Sequence, residues 1–97
     1  MKTELQLNII NKIKNLRLDN ELSQAGFSDI LDISYGLIGN IESTKYEQKY
    51  TLKQIQKACE YFEFPIEEIF LSKEELIKSK AEVINMLINK IIEYYGQ

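Results

Sequence analysis

Apolar residues near the N-terminus recur at the spacing of an amphipathic helix. Leu5, Ile9, Ile13 and Leu16 follow one another at intervals of four, four and three residues, so they share one face of a helix. The polar run at positions 19–21 interrupts this pattern. The sequence therefore predicts a first helix through ELQLNIINKIKNLRL, with its apolar stripe turned toward a core.

A serine marks the start of the second predicted helix. Ser23 is of a residue type that caps helices, because its hydroxyl accepts a hydrogen bond from a backbone N–H of the first turn. Leu22 and Phe27 flank it at the spacing of a hydrophobic staple. Asp32 then stands where the chain has to turn, and aspartate tolerates the left-handed conformation better than most residues. These signals predict a helix in LSQAGFSDIL that ends at Asp32.

The same device recurs at the next serine. Ser34 is predicted to cap a third helix, with Ile33 and Ile38 as the staple pair. Ile38 and Ile41 would then face the core. Two helices of about eight residues joined by a short turn form a helix-turn-helix.

The fourth and fifth helices are predicted from a capping box and a proline. Thr51 and Gln54 form the box, and Pro65 suits the first turn of a short helix, PIEEIF. Cys59 is interpreted as a small buried hydrophobe. The predicted inner face of the fourth helix consists of Leu52, Ile55, Ala58, Cys59 and Phe62.

A long C-terminal helix is predicted from Ser72 and Glu75, a further capping box, to about Tyr95, with Gly96 as its stop. The intervals of its apolar residues alternate between four and three, as in the seam of a coiled coil. This pattern predicts a dimer interface, although the helix could instead fold back on its own domain. The predicted interface residues are Ile77, Ala81, Ile84, Ile88, Ile91 and Tyr95.

Composition argues against an enzyme and against a metal protein. The 97 residues include no histidine and a single cysteine, which removes the commonest general base and the usual zinc ligands. No catalytic residue, cofactor or metal is predicted. The chain has no apolar run long enough to span a membrane and no signal-peptide core. A cytoplasmic protein is therefore expected.

The formal charge of −3 is unevenly distributed along the chain. Residues 1–58 carry eight basic and seven acidic groups, whereas residues 59–97 carry four basic and eight acidic groups. The acidity thus belongs to the C-terminal part. The total charge says little about what the N-terminal part binds.

Four segments follow one another between about Ile10 and Phe70: IKNLR, LSQ, DIS with LIGNIE, and LKQIQKACEYFEFPIEEIF. Through these segments the sequence resembles the phage-repressor-like helix-turn-helix family, which includes lambda repressor, Cro and Xre-type regulators. It implies an all-α, five-helix lambda-repressor-like DNA-binding domain in residues 1–71. Residues 72–97 would add the long C-terminal helix, a dimerisation element. The third helix would enter the DNA major groove.

The family's contact positions can be carried over residue by residue. Gln24 would hold a phosphate, Ser34, Tyr35 and Gly36 would touch bases, and Asn40 is a later position on the same face. Lys45 would lie on the DNA backbone. The chain departs from the family pattern at Asp32, which replaces a turn glycine, at Thr44, which replaces a helix-ending glycine, and at Gly36 and Gly39, where polar readers are common.

The third predicted helix contains no lysine or arginine, so flanking cations would have to supply the phosphate contacts. DNA affinity comes mainly from phosphate neutralisation, whereas bases are read by polar and apolar contacts. Asn40 could make two hydrogen bonds to adenine, and Tyr35 could donate one or pack on a thymine methyl. The candidate cations are Lys12, Lys14, Arg17, Lys45, Lys49 and Lys53.

We therefore expect a homodimeric, sequence-specific transcriptional regulator that binds a near-palindromic site on double-stranded DNA. The alternative is a protein-interaction module, an antitoxin or anti-repressor, whose acidic C-terminal part binds a protein partner. A DNA-independent partner would favour this alternative.

Overall fold

The computed structural model describes residues 1–96, which form seven helices and no strand. The expected all-α class is confirmed for this part of the chain. Gln97, the last residue of the predicted extension, lies outside the described residues. The helices are α1 (Glu4–Asp19), α2 (Gln24–Leu31), α3 (Leu37–Glu42), α4 (Leu52–Phe62), α5 (Ile66–Phe70), α6 (Lys73–Leu76) and α7 (Lys80–Tyr94).

Helix α1 has the predicted apolar stripe. Ile9 and Ile13 are fully buried, and Leu5 and Leu16 pack against the core from its edges. Thr3 starts the helix through a capping box with Gln6. This box satisfies two backbone donors of the first turn that have no partner within the helix.

One hydrophobic core is formed by side chains from helices α1 through α5 and from α7. Phe27 lies at its centre, with ring centroids 5.6 Å from Phe62 and 6.3 Å from Tyr50. Burial of such large apolar side chains is the main stabilising term in a domain of this size. The buried apolar residues are Ile9, Ile10, Ile13, Phe27, Leu31, Ile38, Ile41, Tyr50, Ile55, Ala58, Cys59, Ile69, Phe70, Leu71 and Tyr94.

The predictions for α4 and α5 are confirmed. The Thr51 hydroxyl accepts from the N–H of Gln54, and the Gln54 side chain accepts from the Thr51 N–H. Cys59 is buried. Burial, together with the nearby Glu67 carboxylate, raises the pKa of its thiol to about 11. Glu63 ends α4 in the left-handed conformation at φ 51°. Pro65 occupies the N-cap position of α5, one residue before the first turn in which it was predicted.

The prediction of one continuous helix from Ser72 to Tyr95 is wrong. The chain leaves the helical conformation after α6, and Ser79 starts α7 by accepting a hydrogen bond from the Glu82 N–H at 3.3 Å. The sequence S-K-A-E is therefore a second helix start inside the predicted stripe. Ile77 lies in the break and is 84% exposed, so it is not part of the α7 stripe.

Helix α7 packs back on its own domain through one face. It contacts α1 and α5, and Val83, Leu87 and Ile91 lie against the core. Tyr94 is fully buried, and its hydroxyl donates to the Tyr50 carbonyl at 2.8 Å. The Gln6 amide donates to the Tyr94 carbonyl at 2.7 Å, which ties α1 to the last turn of α7.

Within residues 1–96, none of the helices is both long and apolar enough to cross a membrane.

The two buried phenols generate a prediction about stability. Tyr50 has a buried hydroxyl that finds no hydrogen-bond partner among residues 1–96, whereas the Tyr94 hydroxyl has one. Tyr50→Phe should leave the free energy of unfolding at neutral pH unchanged or raise it by about 1 kcal/mol. Tyr94→Phe should lower it by about 1 kcal/mol. Urea unfolding followed by circular dichroism measures both, and a larger loss in Tyr50→Phe would contradict the assignment.

The same pair sets the response to alkaline pH. Burial raises the pKa of both phenols in the folded protein. Above pH about 10 the unfolded chain therefore loses protons that the folded chain retains, and stability falls as the pH rises. Tyr50→Phe and Tyr94→Phe each remove one such phenol. The free energy of unfolding should therefore decrease less between about pH 9.5 and 11 in either variant than in the parent.

Candidate functional site

Helices α2 and α3 and the turn between them carry most of the residues predicted to contact DNA. The Ser23 hydroxyl accepts from the Gly26 N–H at 2.9 Å, as predicted for a cap. Asp32 adopts the left-handed conformation at φ 55° and ψ 51°, also as predicted. The inner faces of both helices are buried in the core, which leaves their other faces to solvent. The buried residues are Phe27, Ser28, Leu31, Ile38 and Ile41.

The predicted start of α3 is wrong by two residues. Gly36, not Ser34, is its cap, and no side chain takes part. Gly36 lies at φ 94°, a region that glycine enters without steric cost. The chain can therefore begin the helix only at Leu37, whose N–H donates to the Ser34 carbonyl at 3.2 Å. Gly36 thus stabilises the turn by adopting a positive φ. Because it lies before α3, it does not destabilise the interior of that helix.

Tyr35 and Asn40 do not share a helix, contrary to the prediction. Tyr35 lies at the tip of the turn before α3 and is 84% exposed. Asn40 lies on α3, about 160° from Ile38 and 100° from Ile41 at 100° per residue in the helix, and it is half-buried. Nothing lies within 4 Å of the position a Cβ would take on Gly36. The turn and the outer side of α3 are therefore open to a partner.

Arg17 is not a surface cation, so its predicted role as a phosphate contact is wrong. Its Nε donates to Glu42 Oε2 and its Nη2 to Glu42 Oε1, both at 2.9 Å. The two side chains are only 7% and 4% exposed. Arg17 Nη1 also donates to the Leu22 carbonyl at 2.7 Å. The guanidinium thus joins the last turn of α1 to the last residue of α3 and to the chain just before α2.

Gln24 is exposed at the first position of α2 and is oriented by the same carboxylate. Its amide donates to Glu42 Oε1 at 3.0 Å. A Cβ on Gly39 would lie 3.3 Å from Gln24 Oε1, closer than most side chains tolerate. Gly39 therefore makes room for Gln24 of its own chain, which is a structural reason for a glycine inside α3.

Lys2 holds the C-terminal end of α3, a role that no local sequence pattern indicates. Its ammonium donates to the carbonyls of Ile41 and Ser43, the latter at 2.7 Å, and more weakly to that of Asn40 at 3.4 Å. A cation suits the negative end of the helix dipole. Burial lowers the pKa of Lys2, and the Glu47 carboxylate partly offsets this effect.

Two further predicted cations have partners within the domain. Lys12 donates to the Glu68 and Ile69 carbonyls, both at 3.1 Å. Lys49 donates to the Tyr94 carbonyl at 3.2 Å and lies 5.4 Å from the centroid of that ring. Lys14 is half-buried. The exposed lysines of the N-terminal part are Lys45, Lys53 and Lys57.

The side chains of residues 1–96 include no group of three or more His, Cys, Asp or Glu that could hold a metal ion.

Comparisons of this chain with protein-family models, with curated proteins and with solved structures found no match.

The Arg17–Glu42 pair generates a prediction that a double-mutant cycle can test. Arg17→Met or Glu42→Leu alone should lower the free energy of unfolding by about 3–5 kcal/mol, because each leaves a buried charge without its partner. The double variant should be more stable than the sum of the single losses predicts, by about 2–3 kcal/mol.

A surface pair provides the control for this cycle. Lys90 and Glu93 approach only to 3.9 Å and are partly exposed, so Lys90→Met should cost less than about 1 kcal/mol. Additive losses at Arg17 and Glu42 would show that the buried pair does not act as a unit.

Proposed function

We propose that the chain is a sequence-specific DNA-binding regulator that uses α2 and α3 as a helix-turn-helix of the phage-repressor-like type. The observation that carries this proposal is the Arg17–Glu42–Gln24 network. It holds α3 against α1 and the start of α2 from the inside. The turn, the start of α2 and the outer side of α3 stay exposed for a ligand.

Phosphate contacts would come from the start of α2 and from the loop after α3. Gln24 and the N–H groups of the first turn of α2 suit an anion, because the helix dipole is positive at this end. Lys45 is exposed in the loop that follows α3. Lys57 donates to the Leu31 carbonyl at 3.4 Å, which places its charge at the end of α2, beside the turn.

Base contacts would come from Asn40 and Tyr35. Asn40 on the outer side of α3 can make two hydrogen bonds to adenine in the major groove. Tyr35 would reach the DNA from the turn, where it can pack on a thymine methyl or donate a hydrogen bond. The absence of a side chain at Gly36 lets the DNA approach the turn closely. Ser34, also exposed, lies beside them.

The number of free cations limits the electrostatic part of binding. Lys2, Lys12, Arg17 and Lys49 all have partners within the domain. Each neutralised phosphate contributes about −0.9 to the slope of log K against log salt. With three exposed lysines in the N-terminal part, each protomer would neutralise about three phosphates, so specific contacts have to supply much of the affinity.

We further propose that the regulator is a homodimer through the outer face of α7. Ile84, Ile88 and Ile92 are 46%, 50% and 48% exposed. At 100° per residue they continue the apolar arc whose other part packs on the core. The arc of about 220° between Tyr94 and Asn89 contains one charged residue, Lys80 at the first position of α7. Such an apolar strip on a surface marks an interaction site.

The spacing of this strip suits a second copy of the same helix. Ala81, Ile84, Ile88, Ile92 and Tyr95 lie symmetrically about Ile88, at intervals of three or four residues. An antiparallel crossing at a two-fold axis through Ile88 would place Ile84 opposite Ile92. A two-fold interface requires such self-complementarity. Of the residues first predicted for the interface, Ile77 lies outside α7, and Ile91 is half-buried against the core.

A second candidate function is a protein-interaction module such as an antitoxin or anti-repressor. One observation that favours it is that Lys2, Lys12, Arg17 and Lys49 bind groups within the domain, which leaves fewer cations for DNA phosphates. The other is the apolar strip of α7, which a partner protein could cover instead of a second copy. A regulator of the first kind selects a DNA sequence from a random pool, whereas a pure interaction module does not.

If the proposed dimer presents two copies of α3 to DNA, the two half-sites of its binding site would lie about 34 Å apart, one helical turn.

Asn40→Ala tests the proposed base contact. On the site selected from random DNA, the variant should lose about 1–3 kcal/mol of binding free energy, and the preference at one base pair should relax. On unrelated DNA the loss should be much smaller. Asn11→Ala, at an exposed asparagine of α1, is the matched control and should bind like the parent. Equal losses of Asn40→Ala on both DNAs would contradict base readout.

Glutamates on the α7 strip test the proposed dimer. The double variant Ile84→Glu/Ile88→Glu should change the mass in light scattering from two chains to one. The carboxylate at position 88 would meet its own copy at the two-fold axis, and the carboxylate at position 84 would be buried opposite Ile92. Ile77→Glu is the control, since Ile77 is more exposed but lies outside α7. A folded double variant that keeps the dimer mass would place the interface elsewhere.

A further inference from the structure

An open apolar groove of about 560 Å³ lies between α4 and α7. Leu52 and Cys59 of α4 form one wall, and Leu87 and Ile91 of α7 form the other. Phe64 and Ile66, from the connection to α5 and its first turn, complete the lining. The groove lies in a different part of the domain from the turn at Tyr35 and the outer side of α3.

The groove exists because α4 and α7 both pack on α5. Helix α5 contacts each of them, and it has only five residues. The two longer helices extend beyond it, and their facing side chains stay half-buried at Leu52, Leu87 and Ile91. Apolar side chains that line a concavity without filling it are typical of small-molecule sites.

The polar residues that line this groove are acidic or neutral. Glu60 and Glu63 are exposed at its edge, together with the neutral amide of Gln56, and no lysine or arginine is among the lining residues. A third carboxylate, Glu67, acts on the Cys59 thiol in the wall, where it adds to burial in raising the pKa. The groove is therefore apolar inside and negative at its mouth.

We propose that this groove binds a small apolar molecule that carries a positive charge. The apolar body would lie between Leu52 and Leu87, and the cationic group would lie beside Glu60 and Glu63. The volume falls within the range of about 300–1,000 Å³ that is usual for small-molecule ligands. None of the residues proposed to contact DNA lines this groove.

Three probes with the same ten-carbon chain test the site in the full-length protein: decylamine, decanol and decanoate, each below its micelle concentration. Amide shifts in nitrogen-15 NMR spectra report binding and its location. All three should move the amides of Leu52, Phe64 and Leu87. Decylamine should bind about tenfold more tightly than decanoate, because two partly solvated carboxylates attract the one and repel the other.

Charge-neutral variants separate the groove from general surface attraction. In Glu60→Gln/Glu63→Gln, decylamine should lose its advantage over decanoate, and decanol binding should be unchanged. Glu74→Gln/Glu82→Gln removes two carboxylates that do not line the groove, and it should keep the tenfold preference. Gln56→Trp, which places a large side chain over the groove, should weaken all three probes.

Three outcomes would overturn the proposal. Equal affinities for the three probes would show that Glu60 and Glu63 do not select a cationic ligand. Amide shifts confined to the outer strip of α7 would move the site out of the groove. Shifts of the groove amides by a basic amphipathic peptide, with none by decylamine, would replace the small molecule by a protein segment.

Discussion

The buried ion pair of Arg17 and Glu42 connects the three helices on which the candidate site depends. The two charges meet through two hydrogen bonds of 2.9 Å, and the guanidinium also binds the Leu22 carbonyl. Taking both charges out of water costs free energy, so the pair is a weak source of net stability. Its effect is geometric: only one placement of α3 satisfies both donors, and this placement also orients Gln24. We therefore regard the pair as the constraint that aligns α2 and α3.

Lysines from distant parts of the chain hold the C-terminal ends of four helices. Lys57 donates to the end of α2, Lys2 to the end of α3, Lys12 to the end of α5 and Lys49 to the end of α7. The last carbonyls of a helix lack partners within it, and a cation also suits the negative end of the dipole. The chain has only four glycines to close its helices. Of these four lysines only Lys57 is exposed. The charges of Lys2, Lys12 and Lys49 are used inside the domain, which distinguishes this surface from a strongly basic one.

Helix α7 has two apolar faces with different partners. One face carries Tyr94 into the core and completes the hydrogen bonds to Tyr50 and Gln6. The other exposes Ile88 and its neighbours. Leu87, between the two faces, forms part of the groove wall. The apolar arc of α7 is wide enough both to pack on the core and to leave apolar side chains exposed. A helix that packs on a single domain needs only a narrower apolar stripe.

Local sequence signals determined most of the helices. Ser23, Thr51 and Ser72 cap helices as predicted, and Asp32 turns left-handed, because capping and turn preferences act within a few residues. The S-x-x-E start at Ser79 was also present but was hidden by the apolar periodicity around it. The tertiary structure alone decided which charges are buried. Arg17 meets Glu42 across 25 residues and Lys2 meets Ile41 across 39, and no local pattern encodes contacts that arise only when separate helices pack together.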